Sequence, residues 1–405
     1  MNRLAVLMLL FVINIASASN PVSCETLQSA LNQFRTKYQI TGMALFVSSP
    51  KLNQGSCNVF SGSLEKKTQQ QISKNNLWQI GSITKSYFST ILLQIEAESE
   101  AGKIPVQFNL NQQLKTWLPQ YSDWGSVTIW QLLNMTSGIY SYTDLPISSM
   151  VLKQPNRVWH LKELIQLAYH HQPNTYFSPG KGWHYSDTNY LIVGQLIQTL
   201  YQKIEGHEVL LKTILDQKIL QLFHLTNTYY YPAGLPKPLQ LRMVHGYNYY
   251  SGEDFSAYNL SISGPAGAMI ATPRAVAQWI QALFNDKVLP DKQLNEMISL
   301  VSQETGKPIK LSETKITPGY GLGLAEQYSK EFGPIWLYEG VTSGYTAVYF
   351  YAPRDKTIIS FTASVGSIKP NPIPFSSLAK QLLKIVLLPP PIAESIYSEK
   401  MGECT

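Results

Sequence analysis

A serine and a lysine three residues apart, Ser82 and Lys85, open a segment whose apolar residues recur at helical spacing. Gly81 lets the backbone turn just before them, so the pattern predicts a helix that starts at Ser82. Residues three apart share a helix face, which brings the amine to the hydroxyl. A serine hydroxyl needs a neighbouring proton acceptor before it can attack a carbonyl group. We therefore predict that Ser82 is a nucleophile and Lys85 its proton partner.

The Ser-x-x-Lys pattern is weak by itself, because it recurs elsewhere in the sequence. Two of the other pairs fall in polar, turn-rich stretches, one falls in a loop, and one falls on a predicted solvated helix face. A chance match is the better interpretation of these pairs, which are Ser48 to Lys51, Ser63 to Lys66, Ser312 to Lys315 and Ser377 to Lys380.

A second polar segment contains Tyr185, shortly after Pro179-Gly180 and directly before an apolar helical pattern. The Pro-Gly pair predicts a turn, which places Tyr185 on an ordered loop. A phenol held beside a lysine ammonium loses its proton more easily than a free phenol, so Tyr185 is a candidate general base. The alternative is a loop tyrosine that makes one hydrogen bond, since Tyr-x-Asp triplets also begin at Tyr121 and Tyr142.

Composition excludes several classes of function. The chain has 405 residues, 44% of them hydrophobic, which is enough for one large domain with two lobes. Its net charge of +6 is spread over scattered lysines, so we expect no nucleic-acid partner. His207-Glu208 and His170-His171 lack further ligands at metal-binding spacing, and no phosphate-binding glycine loop is present, so we expect no metal and no cofactor.

The first 18 residues have the pattern of a secretory signal peptide. A basic start is followed by an apolar run over residues 4–15 and by Ala16-Ser17-Ala18, which predicts cleavage after Ala18. We expect an exported protein, periplasmic or secreted, without a transmembrane segment. Export permits one disulfide among Cys24, Cys57 and Cys404, and the sequence leaves the three pairings open.

Hydrophobic periodicity predicts an α/β fold of the α+β type, with strands near both chain ends and helices between them. One antiparallel sheet would form from about 19–95 and 270–388, flanked by helices, with a large and mostly helical insertion over about 96–269 and a tail over 389–405. Predicted strands are 42–48, 56–62, 335–340, 345–351 and 357–365, and predicted helices are about 22–38, 82–102, 127–135, 161–169, 190–201, 272–284 and 375–388.

Together these segments resemble the serine hydrolases of the penicillin-binding protein and class C β-lactamase family, which includes D-alanyl-D-alanine carboxypeptidases and some esterases. The resemblance spans nearly the whole mature chain and implies a β-lactamase/transpeptidase-like fold. It rests on Gly81 to Lys85, residues 127–138, the block from Pro179-Gly180 to Tyr190, residues 264–272, and Gly319 to Gly323.

The resemblance implies a role for each matching residue. Ser82 would be acylated, with Lys85 and Tyr185 as its proton partners and no cofactor. Asp187 stands where the family usually has asparagine, and an ionised Asp187 would hold Lys85 charged and shift the general-base role to Tyr185. The third family motif falls on Tyr338-Glu339-Gly340, with Val341 as the second oxyanion donor. This segment lacks the usual cation, and Glu339 would add a negative charge near the site.

The leading hypothesis is an exported serine hydrolase that forms an acyl-enzyme at Ser82. Its substrates would be D-Ala-D-Ala-type peptides such as the peptidoglycan stem peptide, β-lactams, or related small amides and esters. One alternative is a carboxylesterase of the same fold. Another is a pseudoenzyme that binds a muropeptide or protein partner without turnover, suggested by Asp187 and by Tyr338-Glu339. The sequence leaves the oligomeric state open.

Overall fold

The structure is a computed structural model that describes residues 22–285, 288–312, 317–367 and 372–388. The predicted signal peptide with its cleavage site at Ala18, the third cysteine Cys404 and the tail over 389–405 lie outside these residues. Across the described part of the chain, none of the helices combines the length and the hydropathy that a bilayer crossing requires.

An antiparallel sheet forms the centre of the fold, and its order among the described strands is β2-β1-β13-β12-β11-β10-β9-β7-β8. Two smaller sheets pair β14 with β5 and place β6 between β3 and β4. The strands are β1 Gly42–Ser48, β2 Ser56–Gly62, β3 Trp78–Gln79, β4 Thr228–Tyr230, β5 Tyr247–Asn248, β6 Met269–Ala271, β7 Leu300–Ser302, β8 Pro308–Ile309, β9 Gly319–Tyr320, β10 Ala325–Ser329, β11 Gly333–Val341, β12 Thr346–Ala352, β13 Thr357–Ala363 and β14 Val365–Gly366.

The sheet joins the two ends of the chain through the pairing of β1 with β13, in which Met43 lies opposite Ala363. Every residue of β12 and β13 is buried, because helices cover both faces of the sheet. This arrangement confirms the predicted sheet built from both chain ends and flanked by helices.

Helices fill the segment between the first and last strands of the sheet. Two of them, α2 and α10, pack on one face of the sheet, whereas α1 and α12 cover the other face. The helices are α1 Cys24–Lys37, α2 Thr84–Glu100, α3 Ile129–Leu133, α4 Ile147–Lys153, α5 Leu161–Tyr169, α6 Asp187–Glu205, α7 Leu211–Leu215, α8 Lys237–Gln240, α9 Gly264–Gly267, α10 Pro273–Asn285, α11 Asp291–Met297 and α12 Phe375–Leu387.

A disulfide between Cys24 and Cys57 joins the first residue of α1 to strand β2, with 5.8 Å between the two Cα atoms. The structure thus selects one of the three pairings that the sequence left open. The bond fastens the N-terminal helix to the edge of the sheet.

Candidate active site

Ser82 lies in a short 3-10 turn, Gly81–Ile83, which connects β3 to α2. Gly81 has φ +48°, and a β-carbon on it would lie 2.7 Å from the backbone nitrogen of Val341. Only glycine fits this turn, because both the positive φ and the close approach exclude a side chain. The predicted helix start is therefore a 3-10 turn followed by α2, with Ser82 at the positive end of the helix.

Lys85 is fully buried one turn further along, where its ammonium group has three oxygen partners. Nζ lies 3.0 Å from Ser82 Oγ, 2.7 Å from Asp187 Oδ1 and 2.7 Å from the carbonyl oxygen of Ala266. These three partners account for every hydrogen of a charged amine. The side chain is thereby fixed with its nitrogen against the serine hydroxyl.

Tyr185 reaches the same hydroxyl from the other side of the site. It precedes α6, and its phenol donates to Ser82 Oγ at 2.7 Å. Asp187, the first residue of α6, accepts from Lys85 and also from the Thr143 hydroxyl, and its backbone N–H donates to Ser141. The structure therefore brings Ser82, Lys85, Tyr185 and Asp187 into one hydrogen-bonded cluster.

The pKa shifts of the two proton partners have opposite signs. Burial lowers the pKa of Lys85 below its usual value, and this desolvation outweighs the nearby Asp187 carboxylate, which raises it. Burial raises the pKa of Tyr185 well above its usual value, and the negative charge of Asp187 raises it further. These directions oppose the expectation that Asp187 shifts the general-base role to Tyr185, because they favour a neutral amine and a protonated phenol.

Strand β11 supplies the third segment of the site. Its pairing with β10 ends at Leu337, so the edge of residues 338–341 has no partner strand among the described residues and runs beside the Ser82 turn. A β-carbon on Gly340 would lie 2.0 Å from the carbonyl oxygen of Ile80 and 3.0 Å from the backbone nitrogen of Ser82. Gly340 thus allows the strand to approach the nucleophile turn.

Tyr338 and Glu339, the two residues before Gly340, lie on different faces of β11. The hydroxyl of Tyr338 lies 2.6 Å from that of Tyr320, and Tyr338 is also a neighbour of Tyr185. Glu339 instead lines a separate cavity on the opposite face of the sheet, beside Leu337. The expected negative charge of Glu339 at the site is therefore wrong, because side chains alternate along a strand.

A cleft of about 120 Å³ opens in front of Ser82. Val341 and Asp187 line it, as does Tyr142, whose hydroxyl donates to the carbonyl of Ile262. Several lining residues were not predicted as site residues from the sequence, although Ala266 and Gly267 fall in the motif block 264–272 and Tyr142 begins a Tyr-x-Asp triplet. They are Gln79, Tyr142, Thr143, Ile147, Val151, Phe255, Tyr258, Asn259, Leu260, Ile262, Ser263, Ala266, Gly267, Thr342 and Ser343.

Of the four Ser-x-x-Lys pairs interpreted as chance matches, the three that lie in the described ranges do not reproduce this geometry. The Ser377 hydroxyl donates to the carbonyl of Pro374, and Lys51 contacts Leu387 and Asp355. Lys66 lies over the ring of Tyr247, while Lys315 falls outside the described residues. Within the described ranges, histidine, cysteine and carboxylate side chains form no group of three able to hold a metal ion.

The fold and the serine-centred cluster define a serine hydrolase of the β-lactamase/transpeptidase fold. The family model named Beta-lactamase matches residues 27–371, so the chain belongs to the Beta-lactamase family. This membership confirms the resemblance drawn from the motifs and places the chain among serine hydrolases.

Known relatives are distant in sequence. Penicillin-binding protein 4* of Bacillus subtilis is 23% identical over 312 residues, a stretch that covers 74% of this chain and 63% of that protein. This chain therefore spans less than two thirds of that relative's length.

Several solved structures share the fold, and two of them are amide hydrolases by name. The D-stereospecific amidohydrolase from Streptomyces sp. has a TM-score of 0.70 at 23% identity, covering 89% of this chain and 98% of its own. The D-amino acid amidase from Ochrobactrum anthropi SV3, complexed with L-phenylalanine amide, has a TM-score of 0.72 at 20% identity, covering 89% and 97%.

Proposed function

We propose that this chain is an exported serine hydrolase that cleaves small amides or esters through an acyl-enzyme at Ser82. One observation supports this proposal above all others. A single hydroxyl, Ser82 Oγ, lies within proton-transfer distance of both a buried amine and a phenol, at 3.0 Å from Lys85 Nζ and 2.7 Å from Tyr185 Oη.

Lys85 is the proton acceptor in this mechanism. A neutral amine has two hydrogens and one lone pair, and the carboxylate of Asp187 and the carbonyl of Ala266 are the stronger acceptors for its hydrogens. The lone pair then faces Ser82 and takes the hydroxyl proton as Oγ bonds to the substrate carbonyl carbon.

Tyr185 completes the proton transfer. Its protonated phenol gives a proton to the departing amine or alkoxide as the carbonyl–leaving-group bond breaks, and the proton that the Lys85 ammonium gives up afterwards returns to the phenolate through water in the cleft. Water then attacks the serine ester by the reverse path. The backbone N–H groups of Ser82 and Val341, at the free edge of β11, are the proposed oxyanion donors, and each such donor contributes about 3 kcal/mol in sites of this kind.

The absence of a cation from the described lining of the cleft guides the choice of substrate. Tyr338 occupies the position where the family usually has a cation that pairs with a substrate carboxylate, so neutral amides and esters fit better than β-lactams or D-Ala-D-Ala peptides. Two fold relatives carry amidohydrolase and amidase in their names, which supports an amide substrate. The same chemistry would serve a carboxylesterase. The assembled cluster around Ser82 favours catalysis over a role in binding alone.

A fluorophosphonate probe followed by intact-protein mass spectrometry tests the nucleophile. We expect one adduct on the wild type and none on Ser82→Ala. Ser377→Ala is the matched control, because it removes the serine of another Ser-x-x-Lys pair, and it should label like the wild type. An unlabelled wild type, or equal labelling of Ser82→Ala, would contradict the proposal.

Export is supported by the signal-like first 18 residues and by the Cys24–Cys57 disulfide, since such bonds form in oxidising compartments. The mass of the protein recovered from a secreting bacterial host should correspond to cleavage after Ala18. Recovery of the uncleaved chain in the cytoplasm would contradict this part of the proposal.

A further inference from the structure

The cleft has an unusual charge balance. Among the described residues that line it, Asp187 is the one with a charged side chain. Lys85 lies behind the cleft, with its side chain fully buried, and does not line it. In the state that accepts the serine proton Lys85 is neutral, which leaves the charge of Asp187 uncompensated. A cationic group on the substrate is the complement of this surface.

Asp187 retains capacity to bind such a group. One oxygen, Oδ1, accepts from Lys85 at 2.7 Å, while Oδ2 accepts only a long hydrogen bond of 3.3 Å from the Thr143 hydroxyl. The side chain is 21% exposed and faces the cleft. A carboxylate offers about four acceptor positions, so Oδ2 can accept further hydrogen bonds from a ligand in the cleft.

We propose that Asp187 binds a free α-ammonium group on the acyl part of the substrate, so that the hydrolase acts on amino acid amides or esters whose amino group is unblocked. This inference rests on the proposed acyl-enzyme at Ser82 and names the substrate class of that site. An N-acylated amino acid, or an acid amide without the amine, would lack the group that Asp187 recognises.

The geometry suits an α-amino acyl group. Ser82 Oγ and Asp187 Oδ1 both contact the Nζ of Lys85, so they lie within about 6 Å of each other. An α-amino nitrogen is two bonds from its carbonyl carbon, which allows the ammonium to meet Asp187 while the carbon faces Oγ. Ile147, Val151 and Ile262 give the cleft an apolar wall for the amino acid side chain.

Substrate binding also assists the base. An ammonium beside Asp187 competes with Lys85 for the carboxylate and adds a positive charge near the amine, both of which disfavour charged Lys85. Lys85 then gives up its proton by way of the Ser82 hydroxyl, which faces the cleft, and is ready to accept the proton of Ser82. A substrate without the amino group provides no such assistance.

Matched substrates test this proposal within each enzyme variant. Phenylalanine p-nitroanilide carries the free amine, and 3-phenylpropionyl p-nitroanilide is its analogue without the amine. Since a charge-assisted hydrogen bond is involved, we expect kcat/KM in the wild type to be about 10- to 100-fold higher for the substrate with the free amine. Both enantiomers of the phenylalanine substrate are assayed, and the faster one is used for this comparison. The ratio should fall to about 1 in Asp187→Asn. N-acetylation of the phenylalanine substrate should remove the preference in the wild type.

Asp144→Asn is the matched control, because Asp144 is a nearby carboxylate that bonds to Tyr176 and does not line the cleft. This variant should keep the wild-type ratio. A wild-type ratio near 1, or an unchanged preference in Asp187→Asn, would overturn the proposal.

Binding to Ser82→Ala separates this proposal from the proposed catalysis, since it requires no turnover. Titration calorimetry should show phenylalanine amide binding about 10-fold or more tightly than 3-phenylpropanamide, and the difference should vanish in Ser82→Ala combined with Asp187→Asn. If phosphonate labelling fails but the preference for the amine persists, the proposed hydrolase is wrong and the amine site at Asp187 stands. If labelling occurs without the preference, the hydrolase stands and the amine site is wrong.

Discussion

The phenol of Tyr185 donates its hydrogen to the hydroxyl of Ser82 across 2.7 Å, although 103 positions separate the two residues in the chain. Because the phenol pKa is raised well above its usual value, this donor keeps its proton at neutral pH. A donor held against Oγ stabilises negative charge on that oxygen and is placed to protonate the leaving group. In the proposed mechanism, Tyr185 therefore contributes most when the bond to the leaving group breaks.

Removing the Tyr185 hydroxyl tests this role. We expect Tyr185→Phe to lower kcat by about 10²- to 10⁴-fold with little change in KM, because general acid catalysis acts on the transition state. Steady-state kinetics on a neutral p-nitrophenyl ester and on an anilide measure the effect, which should be smaller for the ester, whose leaving group needs less protonation. Tyr121→Phe is the control, since Tyr121 begins another Tyr-x-Asp triplet and bonds to Gln195. Comparable losses in both variants would refute the role.

The acid limb of the pH–rate profile should report Lys85. Its pKa lies below the usual value, so activity on a neutral ester should rise with pH as the amine loses its proton. Asp187 raises that pKa, so Asp187→Asn should move the acid limb of kcat/KM to lower pH. An acid limb that stays in place or moves to higher pH would show that another group controls the reaction.

Gly340 has no room for a side chain. Because a β-carbon there would meet the carbonyl oxygen of Ile80 at 2.0 Å, Gly340→Ala should lower the free energy of unfolding by about 1–3 kcal/mol and displace the oxyanion donors. We expect a loss of kcat of about 10²-fold or more. Glu339→Ala should retain activity, because that side chain lies on the other face of the strand. Denaturant unfolding and ester turnover measure both effects, and an active Gly340→Ala would contradict the proposed oxyanion site.

Glu96 on α2 should make stability depend on pH. Burial and a hydrogen bond with Glu296 raise its pKa from 4.5 to about 7. The folded state therefore binds more protons than the unfolded state between these two values, and stability falls as pH rises through this window. Glu96→Gln cannot ionise and still offers an acceptor to the backbone N–H of Leu110.

We expect Glu96→Gln to be more stable than the wild type by about 1 kcal/mol at about pH 8 and to lose this advantage at about pH 4. Urea unfolding at the two pH values measures the difference. The control is Glu98→Gln on the same helix, where the carboxylate pairs with Lys218, and no stabilisation should appear there. A wild type that is the more stable protein at the higher pH would contradict the assignment.

Sequence patterns correctly predicted the helices and strands whose own residues carry a periodic apolar pattern. Strands β1 and β2 and helix α5 have the predicted bounds, because their apolar residues repeat with the period of the element. Strand β10 was missed, since Ala325–Ser329 is largely polar and only half-buried and forms through its pairing with β11. Such strands are specified by a distant partner and leave little periodic signal.

The residues of the candidate site likewise fall into two groups, those predictable from local sequence spacing and those placed by tertiary packing. Ser82 and Lys85 are one helical turn apart, so their proximity follows from spacing alone. The cleft walls, such as Tyr142 and Phe255, come from loops whose positions depend on tertiary packing. The orientation of Glu339 was predictable in principle, because Tyr338 and Gly340 face the site and the residue between them must point away.

The joining of both chain ends in one sheet dictates when the catalytic centre can form during synthesis. The Ser82 turn is made early, but the strand that abuts it ends at Val341, and β1 pairs with β13, which ends at Ala363. Contacts between such distant residues cannot form until the late strands have left the ribosome. If Ser82 is the nucleophile as proposed, the nascent chain thus carries an inert serine for most of its translation, and the site becomes reactive only as the final quarter of the chain folds.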